Sequence, residues 1–300
     1  MLEKILVEPL KSLLSKYDIE GIYEIRLRRN CPVVLNYKGK YVNLTRSEGE
    51  KVYTSGVNIE QILKLATQNS LYAYNNQLKQ GFLTTIGGIR IGVAGESVNN
   101  DNFLPMTIKD ITSLVIRIPH QVQNCSQLAF KFISSKDVIN NTLIVSPPGA
   151  GKTTFLRDIA CQFSKKQDIV NVMVVDERFE LASCLNGDAL LDVGCYSDIV
   201  SGAGKKYAFS NGIRALRPDV IITDELMNKE DCDACILAIN SGVKVIASVH
   251  AKDYVELKQK KEFKELVLGG YFERIIFLSN RNGPGTLEKI YDKELNCIYF

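Results

Sequence analysis

The sequence predicts an α/β protein in which a parallel-sheet domain follows a smaller α+β domain. Beyond residue 123, short segments that are apolar throughout alternate with helical segments, as in parallel sheets covered by helices on both faces. Before residue 120, apolar and polar residues alternate with period two, as in strands with one buried face. Pro119 ends the last such strand, so the boundary is expected near residues 119–126 and the domains at 1–122 and 123–300.

The first domain is predicted to combine strands with short helices. Strands are expected at residues 23–28, 33–35, 41–44, 82–85, 90–94 and 113–118. The pair Gly87-Gly88 suits a tight hairpin turn between the fourth and fifth of these strands. Helical spacing of apolar residues predicts helices at residues 2–14, 59–66 and 71–79.

The second domain is predicted to begin with a helical stretch around residues 126–134. Apolar strands are then expected at residues 142–145, 171–175, 220–223, 243–249 and 274–278. Helices are expected from residue 153, near 208–216 and near 232–241. Because each strand is apolar along its whole length, the sheet should be parallel and buried on both faces.

Composition narrows the class of protein. The 300 residues are 45% hydrophobic and 24% charged, which is normal for a soluble globular protein. The net charge of +3 is too small to indicate nucleic-acid binding from bulk charge. No apolar run is long enough to span a membrane. Eight scattered cysteines, after a start that mixes charged with apolar residues, predict reduced thiols in a cytoplasm.

A glycine-containing loop follows the first apolar strand of the second domain and opens a helix. Residues 146–154 read Ser-Pro-Pro-Gly-Ala-Gly-Lys-Thr-Thr, which matches a Walker A phosphate loop except that Ser146 replaces the usual first glycine. Backbone N–H groups at a helix N-terminus attract phosphate charge. Lys152 should reach the β- and γ-phosphates, and Thr153 should ligate Mg²⁺. The predicted ATP contacts are Pro148, Gly149, Ala150, Gly151, Lys152, Thr153 and Thr154.

Two apolar strands end in an Asp-Glu pair. Asp224-Glu225 resembles Walker B, so Asp224 is the predicted acid on the magnesium side and Glu225 a candidate for polarising water. Asp176-Glu177 lies one helix and one strand beyond the phosphate loop, where RecA-like ATPases carry a catalytic glutamate. Both Glu177 and Glu225 remain candidates, because the carboxyl ends of parallel strands share one edge of the sheet.

His250 ends another predicted strand. It should therefore lie at the same edge, near a γ-phosphate, where an imidazole can sense phosphate loss.

The order of these motifs resembles the secretion ATPases of type II and type IV systems and, more closely, the stage III sporulation protein AA family. The resemblance is carried by residues 141–149, 175–178, 213–214, 218–220 and 245–250, and in the first domain by residues 24–28, 81–84, 87–92 and 113–118. Residues 283–288 are similar too. The sequence departs from the family at Ile89, where a histidine is usual, and at Leu226-Met227, where the family tends to have Ile-Gly.

This resemblance implies a motor ATPase of the mother cell that acts at its channel to the forespore. It implies a hexameric ring of identical chains, with ATP between subunits. It also implies membrane proteins of the stage III sporulation complex as partners, and peripheral attachment to the membrane through them.

The resemblance further implies that arginines of the first domain reach the nucleotide, where they would stabilise charge in the transition state. Arg90 and Arg117 are the chosen candidates, with Arg26 and Arg28 in matching segments. Arg214, just before Walker B, is a further candidate.

Two other functions stay open at this point. A RecA-like ATPase acting on nucleic acid would share the motifs but needs a basic groove with aromatic residues. Lys258, Lys260 and Lys261 form the dense basic run after the ATPase strands, and a solvated helix face explains them better. The other alternative is a nucleotide-binding scaffold with little turnover.

Overall fold

The chain divides into two compact units, residues Met1–His120 and Gln121–Phe300. The computed structural model describes residues 2–46, 49–85, 88–99, 105–136 and 138–299. Within these ranges, none of the helices has both the length and the apolar character needed to cross a bilayer.

A six-stranded sheet dominates the first unit. Its strands are β1 (Ile22–Arg28), β2 (Val34–Tyr37), β3 (Lys40–Asn43), β4 (Phe82–Thr85), β5 (Ile89–Asn99) and β6 (Pro105–Arg117). They are ordered β3-β2-β1-β6-β5-β4, with antiparallel neighbours throughout. Strands β4 and β5 pair as the hairpin prediction requires, although Gly87 of the predicted turn lies outside the described residues.

Among the described residues of this unit, the α-helices that accompany the sheet are α1 (Leu10–Leu14), α2 (Gly56–Ala66) and α3 (Asn75–Leu78). The Ser55 side chain accepts from the backbone of Asn58 and the Asn58 side chain accepts from the backbone of Ser55, so a capping box begins α2. The predicted helix at 2–14 is shorter in the structure, because Pro9 lacks the N–H of a helix interior. The predicted helix at 71–79 is a 3₁₀ turn followed by α3.

The second unit holds an eight-stranded sheet. Its strands are β7 (Thr142–Ser146), β8 (Val172–Asp176), β9 (Ser197–Ser201), β10 (Val220–Thr223), β11 (Lys244–His250), β12 (Arg274–Ser279), β13 (Thr286–Asp292) and β14 (Cys297–Tyr299). The helices are α4 (Gln127–Ile133), α5 (Lys152–Phe163), α6 (Lys205–Leu216), α7 (Lys229–Asn240), α8 (Tyr254–Gln259) and α9 (Lys264–Leu268). The strand order is β14-β13-β12-β7-β11-β10-β8-β9.

This sheet is mixed, whereas the sequence predicted a parallel one. The six strands from β12 to β9 are parallel to their neighbours, but β13 and β14 add to the β12 edge in antiparallel fashion. The reason is the short connection after β12, which turns through Gly283 and Gly285 at φ +106° and +85°. A connection of that length can form only an antiparallel neighbour, since a parallel one needs a crossover.

Buried clusters cover both faces of the parallel strands. Leu143 and Val145 of β7 belong to one cluster and Ile144 to the other, with neighbouring strands divided in the same way. Burial on both sides explains why these strands are apolar at every position. The pairing of Ser146 with His250, and of Thr223 with Val175, brings the carboxyl ends of β7, β11, β10 and β8 side by side.

Candidate nucleotide site

The glycine-containing loop joins the end of β7 to the first residue of α5. Gly149 and Gly151 have φ of +73° and +83°, a conformation that glycine adopts without steric cost. The turn between β12 and β13 supports this loop, because the Gly285 N–H donates to the Ala150 carbonyl at 2.8 Å. A Cβ on Gly151 would lie 2.9 Å from the Gly285 nitrogen, so this position has no room for a side chain.

Lys152 begins α5 and is only 6% exposed. Its Nζ donates to the carbonyls of Ser146 and Pro147 at 3.4 and 3.2 Å, and to the Ser146 Oγ at 3.3 Å. Burial lowers the pKa of the Lys152 ammonium to about 8, although Asp224 and Glu225 act in the opposite direction. Its hydrogen-bond partners in the loop are neutral oxygen atoms, so its positive charge is available to pair with an anion such as phosphate.

Asp224 follows β10 and faces the first turn of α5. The Thr153 Oγ1 donates to its Oδ2 at 2.7 Å, while the Ser248 Oγ and the Glu225 N–H donate to its Oδ1, both at 2.8 Å. A hydroxyl and a carboxylate oxygen side by side are ligands that Mg²⁺ prefers. Thr153 and Asp224 therefore fit a magnesium ion that also contacts phosphate.

Asp176 has a different environment, although it too begins an Asp-Glu pair. It is 1% exposed, and its two oxygens accept four backbone N–H groups, of residues 180–183, at 2.7–3.0 Å. Burial raises the pKa of its carboxyl group, and these N–H donors oppose that shift. Arg157 of α5 donates to the carbonyls of Leu181 and Glu180, both at 2.7 Å. Asp176 and Arg157 together fix the loop after β8 against the phosphate-loop helix.

Glu177 projects from this fixed loop with 41% of its side chain exposed. Its Oε2 lies 2.6 Å from the Nζ of Lys205, the first residue of α6. Lys205 is 5% exposed and lies 4.0 Å from a second carboxylate, that of Asp231.

Glu225 and His250 are linked to Lys152 in one chain of contacts. The Lys152 Nζ lies 2.7 Å from His250 Nδ1, and His250 Nε2 lies 3.1 Å from Glu225 Oε1. Because the Lys152 ammonium can only donate a hydrogen bond, His250 Nδ1 accepts it. His250 Nε2 therefore carries the ring hydrogen and donates a hydrogen bond to Glu225. The other Glu225 oxygen accepts from Arg178 at 3.1 Å, and the Met227 sulfur also contacts Arg178. His250 thereby connects Lys152 of the phosphate loop to Glu225, one of the two candidate bases.

The predicted arginines of the first unit lie together within that unit. In the first unit, Arg26, Arg90 and Arg117 line a cavity of about 340 Å³. Glu24 pairs with Arg26 and, at 3.6 Å, with Arg117, while the Arg90 guanidinium lies 4.0 Å from the centre of the Phe82 ring. Arg28 is exposed on β1.

Arg214 lies in the last turn of α6 and donates to the Ser210 carbonyl of its own helix at 3.1 Å. The 12-residue helix spans about 18 Å. It runs from the carboxyl edge of the sheet, after β9, to the amino edge, before β10. The structure therefore does not bring Arg214 to the phosphate loop of its own chain.

Lys205, Ser248 and Lys260 contact predicted site residues, and sequence reasoning did not assign them to the site. Arg157, which holds the loop that carries Glu177, was missed in the same way. Ser248 carried a usable signal, as a polar residue inside an otherwise apolar strand. Lys260 donates to the His250 carbonyl and is half-buried, so the solvated helix face expected for it is wrong. Arg157 and Lys205 carried none, because charged residues at helical positions are usually exposed.

Comparison with known proteins identifies a family from the sequence and a shared fold from solved structures. The family described as sporulation stage III, protein AA, matches residues 1–298. Stage III sporulation protein AA of Bacillus subtilis (strain 168) is 34% identical over 301 residues, covering 98% of this chain and 95% of that protein. The ATPase DotB of Yersinia pseudotuberculosis matches with a TM-score of 0.62 and 14% identity, covering 96% of this chain and 81% of its own. The pilus retraction motor PilT, solved with bound ADP, matches with a TM-score of 0.58 and 14% identity, covering 90% of this chain and 76% of its own. The two solved structures share the α/β fold of this chain.

Proposed function

The chain belongs to the sporulation stage III, protein AA family, and from that premise we propose that it is a secretion-type ATPase that hydrolyses ATP with Mg²⁺. One observation carries the proposal: the hydroxyl of Thr153, in the phosphate loop, donates to the Asp224 carboxylate at 2.7 Å. Phosphate-loop ATPases need this pairing of a loop hydroxyl with an acid at the end of another strand of the sheet. The parallel part of the second sheet is then RecA-like, with antiparallel strands added at one edge.

In this proposal, the chain's own residues bind and orient the triphosphate. Backbone N–H groups of residues 149–154 and the ammonium of Lys152 hold its oxygens. Thr153 and Asp224 hold the magnesium ion, which supplies charge neutralisation for the phosphates. Glu177 and Glu225 are the candidates for orienting water, and His250 changes partners when Lys152 moves from Nδ1 to phosphate.

Arginines supply the remaining positive charge. Arg90 and Arg117, with Arg26 beside them, present guanidinium groups on one cavity of the first unit. In a ring of identical chains such a cluster meets a nucleotide and stabilises charge on the γ-phosphoryl oxygens. Arg214, on the exposed face of α6, would act only on a neighbouring subunit.

The family assignment supports the biological setting of the proposal. The protein forms a hexameric ring in the cytoplasm of the mother cell and joins the membrane through proteins of the stage III sporulation complex. Closure and release of its domains during the ATP cycle exert force on that assembly.

The test is Mg²⁺-dependent binding and hydrolysis of ATP by the purified chain. Calorimetry with MgATP and a phosphate-release assay should detect both in the natural protein, and neither in Lys152→Ala. Lys131→Ala removes an exposed lysine of α4 and serves as the matched control. Absence of Mg²⁺-dependent ATP binding would refute the assignment. Binding without turnover would indicate a scaffold, and strong stimulation by single-stranded DNA at low salt would indicate a nucleic-acid ATPase.

A further inference from the structure

Lys205 occupies a position that opposes its charge in two ways. It is 5% exposed, although lysine is almost never buried without a partner. It is also the first residue of α6, where the helix dipole disfavours a cation. A close carboxylate offsets both the cost of burial and the cost of the helix dipole. The carboxylate that pairs with Lys205 therefore indicates which group the residue positions.

That partner is Glu177. The Nζ–Oε2 distance is 2.6 Å, against 4.0 Å to the nearest oxygen of Asp231. Asp231 is already engaged, since its Oδ2 accepts from the Met227 N–H at 2.8 Å. The stronger contact of Lys205 is therefore with one of the two candidate bases.

The two candidate bases differ in how much of the carboxylate is free. Both oxygens of Glu225 have partners, Oε1 with His250 and Oε2 with Arg178. Glu177 makes its ion pair through Oε2 and is 41% exposed, so its other oxygen can accept from water. The backbone beneath Glu177 is already fixed by Asp176. Only the side chain of Glu177 needs a further anchor.

We propose that Lys205 is a positioning residue that anchors the Glu177 carboxylate, so that its second oxygen orients the water attacking ATP. The inference rests on the proposed ATPase function and assigns the water-orienting role to Glu177. Lys205 acts through Glu177 and contacts neither nucleotide nor metal. Removing it lets the carboxylate change rotamer, and displacement of a catalytic group by about 1 Å can lower the rate about 10²-fold.

The experiment is a double-mutant cycle on the full chain. Lys205→Met, Glu177→Gln and the double variant are compared for kcat and KM of MgATP hydrolysis and for MgADP affinity by calorimetry. Lys206→Met removes the next lysine of the same helix, which is exposed, and is the matched control. Lys205→Met should lower kcat about 10²-fold while KM and MgADP affinity stay within about twofold. In the Glu177→Gln background it should change kcat by less than about twofold, because the group it anchors is already inactive.

The outcomes separate a positioning role from a structural one. An unchanged kcat in Lys205→Met would overturn the proposal, and so would an equal loss of rate with and without the Glu177 carboxyl. A thermal melt would show whether Lys205→Met unfolds. If it does, the Lys205→Met change is combined with Asp231→Asn, so that no buried Asp231 carboxylate is left without the nearby ammonium. That variant should fold and show the same loss of kcat, whereas normal turnover would refute the proposal. Lack of ATP turnover in the natural protein would instead count against the ATPase function.

Discussion

The buried ammonium of Lys152 should make the nucleotide-free protein less stable than it would be without this charge. Methionine has a similar length and no charge, so Lys152→Met should raise the free energy of unfolding while abolishing nucleotide binding. The expectation follows from the site, because the loop places the ammonium among neutral oxygens until phosphate arrives.

The magnitude comes from the pKa. Burial lowers the pKa of Lys152 from its ordinary 10.5 to about 8, which corresponds to roughly 3 kcal/mol at about 1.4 kcal/mol per pH unit. Solvent near the open loop screens part of this cost, so about 1–2 kcal/mol is expected. In a unit of this size that raises Tm by about 3–6 °C.

The sign of the pH dependence is fixed. Below pH 8 Lys152 is protonated in both the folded and the unfolded protein, so the whole cost is present. Between about 8 and 10.5 the unfolded chain binds more protons, so the natural protein gains stability as pH rises. Melting curves of nucleotide-free protein at pH 7 and pH 9.5 should show a gap between the two proteins that shrinks at the higher pH. A variant that is less stable than the natural protein, or a gap that does not change with pH, would refute the reasoning.

Three other changes have defined consequences. Asp176→Asn replaces an oxygen that accepts two N–H groups with a donor, and should lower the free energy of unfolding by about 1–3 kcal/mol in denaturant titrations. Gly151→Ala should lower MgADP affinity more than Gly149→Ala, since both residues have positive φ but only Gly151 meets backbone at 2.9 Å; calorimetry showing equal losses would contradict this. Asp224→Asn should raise the Mg²⁺ concentration needed for half-maximal ATP hydrolysis by at least tenfold, and an unchanged Mg²⁺ titration would remove Asp224 from the metal site.

The α/β class and the central strands of the second unit were predictable because burial on both faces leaves a plain apolar signature. Strand β9 was missed, since the segment Ser197–Ser201 is half-exposed and carries polar residues. Strands β13 and β14 were missed for a similar reason, because their exposed positions give them no continuous apolar run. The mixed character of the sheet depends on those missed strands.

At the site, sequence order predicted which motifs share the carboxyl edge but not what each acid does there. Asp176 and Asp224 look alike in sequence, each ending an apolar strand before a glutamate. Asp176 accepts backbone N–H groups of the loop that directly follows it, whereas Asp224 accepts from the hydroxyls of Thr153 and Ser248. The partners of Asp224 come from a helix and a strand far along the chain, and the loop conformation around Asp176 has no motif, so the local sequence did not distinguish the two acids.

The Gly285 N–H on Ala150 has a practical consequence for anyone who shortens or fuses this chain. Deleting everything after Asn282 would remove a segment that looks dispensable, since it follows every Walker motif. It would also leave the Ala150 carbonyl without its donor and turn β12 into an open edge that invites aggregation. Affinity tags and fluorescent reporters that must leave ATP binding undisturbed should therefore keep the β12–β13 turn and the strands after it in place.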